Sequence, residues 1–369
     1  MAGGRRTKLE KLVDTIKEDQ RVSSGLEEQN SAVPDLPSEL WERIFSPLDL
    51  RDNIRAAAVC KSWQAVATSV RKSDRPPWLM ICPNFGNSYD FYDPTKRKTH
   101  SLDLPELKGS EFCYAKDGWL LVFKPRTQGF FFFSPHTLEL IKLPTLHFAH
   151  QIVAFSAAPT SDNCIVFTVE HVNPMAVAVS TCRPGDDAWT TINFENPQSI
   201  VSSIWTNIVF SKGHFYCLSL TGWLGVYNPN NGIWAVLSVP PPNCTEYFPP
   251  RNWWKGKFMA EYNGDIFLVY TCAAVKPIIY KLDEMKQVWV EMVSLGGMTF
   301  FANFLSSHVR ADLVAKMRNT VYFSKALCHG KCCFTYSVDL GRYYPRKRPC
   351  NCGQHDPFKS IWIEPPEDV

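Results

Sequence analysis

Nowhere do the 369 residues hold eighteen uninterrupted apolar ones, so a membrane-spanning helix is excluded and no membrane partner is expected. The first twenty, MAGGRRTKLEKLVDTIKEDQ, lack the apolar stretch and small-residue cleavage site of a secretory leader. RRTK near Arg5 reads as a solvated basic end rather than an import signal. A formal charge of only +3 offers no global field for nucleic acid, and none is expected as a partner. Glycine-rich phosphate loops, nucleophile elbows and paired histidines on a helix are all missing. Asp186 and Asp187 are chain neighbours in a turn and cannot converge on one atom. His150, His214 and His308 sit among apolar strand residues as structural groups. The chain is therefore expected to do no chemistry of its own and to need no cofactor.

What is present is core-forming material: 45% hydrophobic residues and 13% aromatics, including 24 Phe and 12 Trp. Thirteen cysteines, an odd number, are scattered through strand-like runs such as NCIVFTV and HFYCLSL. With no leader recognised, they read as reduced thiols in the cytosol or nucleus, not as a disulfide framework. One cluster, CHGKCC with CNCGQH, is a weak zinc candidate through Cys328, Cys332, Cys350 and Cys352, with Cys333, His329 and His355 nearby. Its Cys-x3-Cys and Cys-x-Cys spacings depart from the common Cys-x2-Cys, so free buried or loop thiols are the favoured reading.

Three regions follow from pattern. Residues 1–33 form a flexible segment with a short amphipathic helix, since Leu9, Leu12, Val13 and Ile16 share one face. Residues 34–73 have helical period three times over. Leu36, Leu40, Ile44 and Phe45 line the first helix, and Pro47 ends it by lacking an amide hydrogen. Asp49 caps a second helix through Leu50, Ile54 and three alanines. Val59, Cys60, Trp63, Val66, Ala67 and Val70 form a third stripe, closed by Pro76 and Pro77.

From Trp78 to the end at 369 the period becomes that of strands. Six units repeat a strand, a polar turn and another strand, with two further strands ahead of each pair. Their anchors Tyr92, Phe133, Val179, Tyr227, Tyr280 and Tyr336 are 41, 46, 48, 53 and 56 residues apart. Four antiparallel strands per unit at this period describe a β-propeller blade, and six units a six-bladed ring. The first unit lacks a strand, whereas SIWIEPP near the end is a strand without a local partner. Residues 361–364 are thus expected to pair with the strand Trp78–Cys82 and close the ring, which removes two raw edges.

The segment LPSELWERIFSPLDLRDNIRAAAVCKSW resembles the F-box in its Leu-Pro start, its Glu-Leu pair and its closing Val-Cys-Lys-x-Trp. With the β-rich remainder ending in IWIEPP, the chain looks like plant F-box proteins carrying a Kib-type, kelch-like β-propeller. IFSPLDLRD departs from the leucine-rich first turn of many F-boxes. The resemblance implies a mainly β fold, a three-helix F-box followed by the six-bladed propeller. It further implies a substrate-recognition subunit of an SCF-type cullin–RING ubiquitin ligase. Its partners would be a Skp-type adaptor, cullin through that adaptor, and an unknown target protein. Leu36, Pro37, Leu40, Ile44, Val59, Cys60 and Trp63 would complete their burial against the adaptor, with Lys61 at the rim. Two other readings stand beside it: a small-ligand or sugar-binding propeller, and a ubiquitin-independent regulatory protein.

In a four-stranded blade, the connection between strands two and three emerges at the same end as the link to the next blade. The long segments KPRTQG, EHVNPM, TCAAVKP, PPPNCTEYFPPRNWWKG, LGGMTFFANFLSS and RKRPCNCGQHDPFK all fall in this class, so this end is the expected target face. Arg126, Tyr247, Phe248, Arg251, Trp253 and Trp254 are its candidate contacts, being of types favoured at interface hot spots. Trp253 or Trp254 could equally plug the space between blades four and five. Lys276, Arg346, Lys347 and Arg348 with Arg126 tint the face basic, which suits an acidic or phosphorylated target.

Overall fold

The computed structural model describes residues 37–45, 56, 59–63, 65–67, 75–83, 85–146, 152–173, 175–196, 204–237, 239, 256–271, 276–311, 313–327, 330–344 and 357–364. Near the amino terminus, helix α1 spans Ser38–Phe45. Pro37 stands just before it, and its carbonyl accepts the Leu40 and Trp41 amides at 3.0 and 3.3 Å. Proline costs nothing there, because the first turn's amides have no intrahelical acceptor. Helical backbone recurs at 56, 61–63 and 65–67. The residues that would complete a three-helix unit, 46–55 and 68–73, lie outside the described residues, as does the amphipathic segment of 1–33.

Among the described residues, twenty-five strands in six sheets follow. The first sheet uses β1 (Trp78–Ile81), β2 (Ser88–Asp93) and β3 (Lys98–Asp103). The second holds β4 (Glu111–Lys116), β5 (Trp119–Lys124), β6 (Gly129–Phe133) and β7 (Leu140–Thr145). The third holds β8 (Ile152–Phe155), β9 (Val166–Asn173), β10 (Ala176–Cys182) and β11 (Thr190–Glu195). The fourth holds β12 (Trp205–Ser211), β13 (His214–Ser219), β14 (Leu224–Asn228) and β15 (Ile233–Leu237). The fifth holds β16 (Lys257–Tyr262), β17 (Asp265–Tyr270), β18 (Ile278–Asp283) and β19 (Val288–Glu291). The sixth holds β20 (Thr299–Ala302), β21 (His308–Arg310), β22 (Thr320–Leu327), β23 (Gly330–Ser337) and β24 (Arg342–Tyr344). Finally β25 (Ser360–Ile363) joins the first sheet in the order β25-β1-β2-β3. It runs antiparallel to β1, with Leu79 opposite Trp362 and Met80 opposite Ile361.

The architecture is a six-bladed β-propeller. Its hydrophobic clusters lie between blades rather than within them: one joins Leu79 and Tyr92 to Phe301, Cys333 and Trp362. Both faces of an inner strand are covered by neighbouring blades, so the second strands read as unbroken apolar runs, WLLVF, FYCLS and IFLVY. Fourth strands, at the outer edge, are largely exposed, as in Lys98–Asp103 and Thr190–Glu195. All six repeat anchors fall on the strand just inside that edge. Between first and second strands, Asp117-Gly118, Lys212-Gly213 and Asn263-Gly264 make two-residue turns with positive φ at both positions. That conformation matches the right-handed twist of the strands it joins.

The sixth blade departs from the four-strand expectation. LGGMTFFANFLSS is not a long loop, for it contains β20, which pairs in parallel with β22 and antiparallel with β21. Thr299, Phe300, Phe301 and Ala302 are all buried, so the aromatic pair that reads as a binding loop is core. Two other segments of the expected loop face are also ordered and short. Pro125–Thr127 forms a 3-10 turn, and Glu170–Asn173 extends β9.

Candidate functional site

The helical stub is built on three aromatic rings. Trp41, Phe45 and Trp63 pack with centroids 4.6 to 5.5 Å apart, and Ala56, Val66 and Ala67 are buried with them. Ile44 and Cys60 lie partly buried against this core. Leu40 is 42% exposed and Val59 53% exposed, with Pro37 and Lys61 also at the surface. The group expected to face an adaptor thus divides. Pro37, Leu40, Val59 and Lys61 are outside, Ile44 and Cys60 are at the margin, and Trp63 belongs to the stub's own core. The Trp63 indole packs inward against Trp41 and Phe45, because so small a unit has little else with which to bury apolar area. Leu36 lies outside the described residues. A hydrogen bond with the Ser62 hydroxyl at 3.1 Å lowers the Cys60 thiol's pKa.

At the propeller end where the two-three connections and blade links emerge, the channel opens into a cavity of about 1070 Å3. Its basic residues are Lys108, Lys124, Arg126 and Lys359, and its one acid among the described lining residues is Glu111. Lys108 stands on a braced turn. The Tyr89 hydroxyl donates to the Leu107 carbonyl at 2.9 Å, and Gly109 takes φ +69° so that the Ser110 amide reaches the same carbonyl. Burial pushes the Tyr89 phenol up to about 12, so it stays a donor at any physiological pH. Arg126 rides the 3-10 turn, which the Gln128 side chain secures by donating to the Pro125 carbonyl at 3.0 Å. Lys359 precedes β25, and its carbonyl accepts the Cys82 amide at 2.8 Å. Apolar side chains share the mouth: Phe85 is 95% exposed, and Ile204 and Phe358 are partly so.

Two asparagines hold the inner strands in place beneath the mouth. Asn207 donates to the Lys257 carbonyl at 3.1 Å and accepts the Met259 amide at 3.2 Å, tying β12 to β16. Asn303 donates to the Ser360 carbonyl at 2.8 Å, tying the sixth blade to β25.

The opposite mouth is smaller, about 350 Å3, and mixed in sign, with Lys116 and Arg310 facing Asp117, Glu261 and Glu364. Glu364 follows β25 and engages two elements, β21 and the turn between β4 and β5. It pairs with Arg310, lies 3.4 Å from His308, and accepts the Asp117 amide at 2.8 Å. Burial works to raise its pKa, but Arg310, His308 and the Asp117 amide together hold the carboxyl well below the usual range.

Of the other candidates, Arg126 lines the wide mouth, whereas Lys276 is exposed but does not line it. Tyr247, Phe248, Arg251, Trp253, Trp254, Arg346, Lys347 and Arg348 lie outside the described residues. So do Cys328, Cys350 and Cys352 of the zinc candidate and the side chain of Cys332. Cys333 is buried in the core between the sixth and first blades. Among the described residues no group of three or more metal-ligating side chains exists. Lys108, Lys124, Lys359 and Phe85 were not singled out in the sequence; an isolated lysine next to a turn carries no signal of its own.

Residues 33–71 match the F-box-like family model, and residues 91–345 match that of the KIB1-4 beta-propeller. The chain is 40% identical to the F-box/kelch-repeat protein At1g57790 of Arabidopsis thaliana, covering 91% of this chain and 95% of that one. It is 39% identical to the F-box protein At4g00893 and 37% identical to the F-box protein At3g56470, both of Arabidopsis thaliana. The coverage is 92% and 90% of this chain, and 88% of each relative.

Proposed function

The chain belongs to the F-box proteins with a KIB1-4 β-propeller, and from that premise we propose that it is the substrate-recognition subunit of an SCF-type cullin–RING ubiquitin ligase. The F-box docks a Skp-type adaptor, the adaptor brings cullin, and the propeller holds the target. The chain catalyses nothing. It acts by proximity, raising the target's effective concentration at the ubiquitin-loaded enzyme. A three-helix F-box completed on its adaptor, and a ring closed by β25, are part of this reading.

The observation that carries it is the outward face of the stub. Leu40 and Val59 are apolar and exposed on a unit whose core is already filled by Trp41, Phe45 and Trp63. Exposed aliphatic residues on so small a body suit an obligate partner better than water. Cytosol or nucleus is the proposed location, since no disulfide joins the described cysteines.

The test is recovery of a Skp-type adaptor with the full chain. Leu40→Glu with Val59→Glu alters only exposed positions, so the core should survive while adaptor recovery falls at least tenfold. Leu36→Ala with Pro37→Ala should do the same. Undiminished recovery from folded variants would overturn the reading.

A further inference from the structure

The two mouths of the channel differ in how their charge is balanced. At the smaller one Glu364 and Arg310 satisfy each other, and the remaining charges are of both signs. At the wider one, among the described residues, four cations and one carboxylate, Glu111, line the mouth of a chain whose net charge is only +3. Lys108, Lys124, Arg126 and Lys359 make no ion pair with a described residue. They come from three separate places, after β3, at and just beyond the end of β5, and before β25, so they converge only in the folded propeller.

Like charges gathered around one carboxylate repel one another and weaken the fold slightly, and an anionic partner offsets that. The same mouth also exposes Phe85, Ile204 and Phe358. An inorganic anion would leave those side chains in water, and a neutral sugar would leave the cations without a counter-charge.

We propose that this mouth binds an acidic peptide segment of the target, rich in Asp and Glu, with an aliphatic or aromatic side chain seated between Phe85 and Phe358. The inference deepens the receptor reading by naming the chemistry of what is received. Carboxylates meet Lys108, Arg126 and Lys359 at the rim, where each contact is partly screened by salt. The apolar residue enters below them, where water is displaced and most of the affinity arises. Charge sets sign and encounter rate, while the apolar residue sets residence time.

The test is selection of a random heptapeptide library, displayed on phage, with the full chain and no adaptor. Omitting the adaptor separates the two readings, because failed adaptor docking leaves this result standing and the converse also holds. The expected winners carry two or more Asp or Glu around a Leu, Ile or Phe. Arg126→Glu with Lys359→Glu should weaken a winning peptide at least tenfold. Lys98→Glu with Lys142→Glu makes the same charge change on outer strands and should stay within twofold. Should the first pair fail to fold, the wild-type chain still decides the matter: binding should weaken severalfold between about 50 and 500 mM salt, and salt-independent binding would refute the charge reading. Four results would each overturn the proposal. These are no enrichment, winners without acidic residues, equal weakening by both variant pairs, or tighter binding of a single-stranded oligonucleotide than of the winning peptide.

Discussion

Replacing Trp362 by Ala tests how much the last described strand contributes to the ring. The indole is completely buried, packed 5.1 Å from the Phe301 ring, and its Nε1 donates to the Ala302 carbonyl at 3.2 Å. A Trp buries roughly 200 Å2, and at ~25 cal/mol per Å2 its removal forfeits about 5 kcal/mol of transfer energy. The retained methyl and a compact unfolded chain reduce this, which leaves about 3–5 kcal/mol. Each kcal/mol moves the midpoint by about 2–4 °C in a domain approaching this size. Thermal unfolding of the full chain should therefore show a midpoint lower by roughly 10 °C. Trp362→Phe keeps one aromatic ring but loses the donor and leaves a smaller cavity, so about 1–3 kcal/mol and a smaller drop in midpoint than for Ala are expected. A Trp362→Ala midpoint within two degrees of wild type would show that β25 is dispensable and that the first and sixth blades cohere without it.

Three further outcomes follow. Gly225 lies on β14 beneath two indoles; a Cβ there would meet Trp234 Cη2 at 2.4 Å and Trp205 Cη2 at 2.9 Å. Gly225→Ala should lower stability by about 1–3 kcal/mol, and a neutral result in chemical denaturation would mean that the Trp205–Trp234 pair yields freely. Glu364 titrates lower folded than unfolded, so its contribution is complete above the unfolded carboxylate value of about 4.3 and is lost as pH falls from there toward the folded value. Glu364→Gln should cost about 2–3 kcal/mol at pH 7, and the gap from wild type should narrow below pH 4.3; a pH-independent gap would refute the clasp. In brief alkylation at neutral pH followed by peptide mass mapping, Cys60 should react before Cys164, Cys182 and Cys217. Its thiol is lowered by Ser62, whereas burial pushes Cys164 up to about 11, Cys182 to about 12 and Cys217 well up. A bound adaptor should slow Cys60, and equal rates in its presence would place Cys60 outside the docking face.

Much of the fold is legible in local pattern because local physics produces it. Helical spacing around Leu40 and Phe45, strand runs such as WLLVF, and turns such as Asn263-Gly264 each depend on residues within a few positions. Repetition of a third-strand anchor from Tyr92 to Tyr336 then implies a ring, since a blade cannot bury both faces without neighbours. An isolated apolar strand near the chain's end marks pairing with a unit one strand short.

Other features are decided only by packing between distant parts. Leu40, Val59 and Trp63 are equally apolar in sequence, yet Trp63 alone fills the stub's core while the other two face outward. Phe300 and Phe301 look like an aromatic loop but become a buried parallel strand, because the hairpin of β20 and β21 folds back beside β22. Lys108, Arg126 and Lys359 are solitary charges along the chain and a cationic cluster in space. Periodicity is a short-range property, set by backbone geometry and the side chain's own burial. Convergence of connections at one mouth is a long-range property, set by how the six sheets pack side by side.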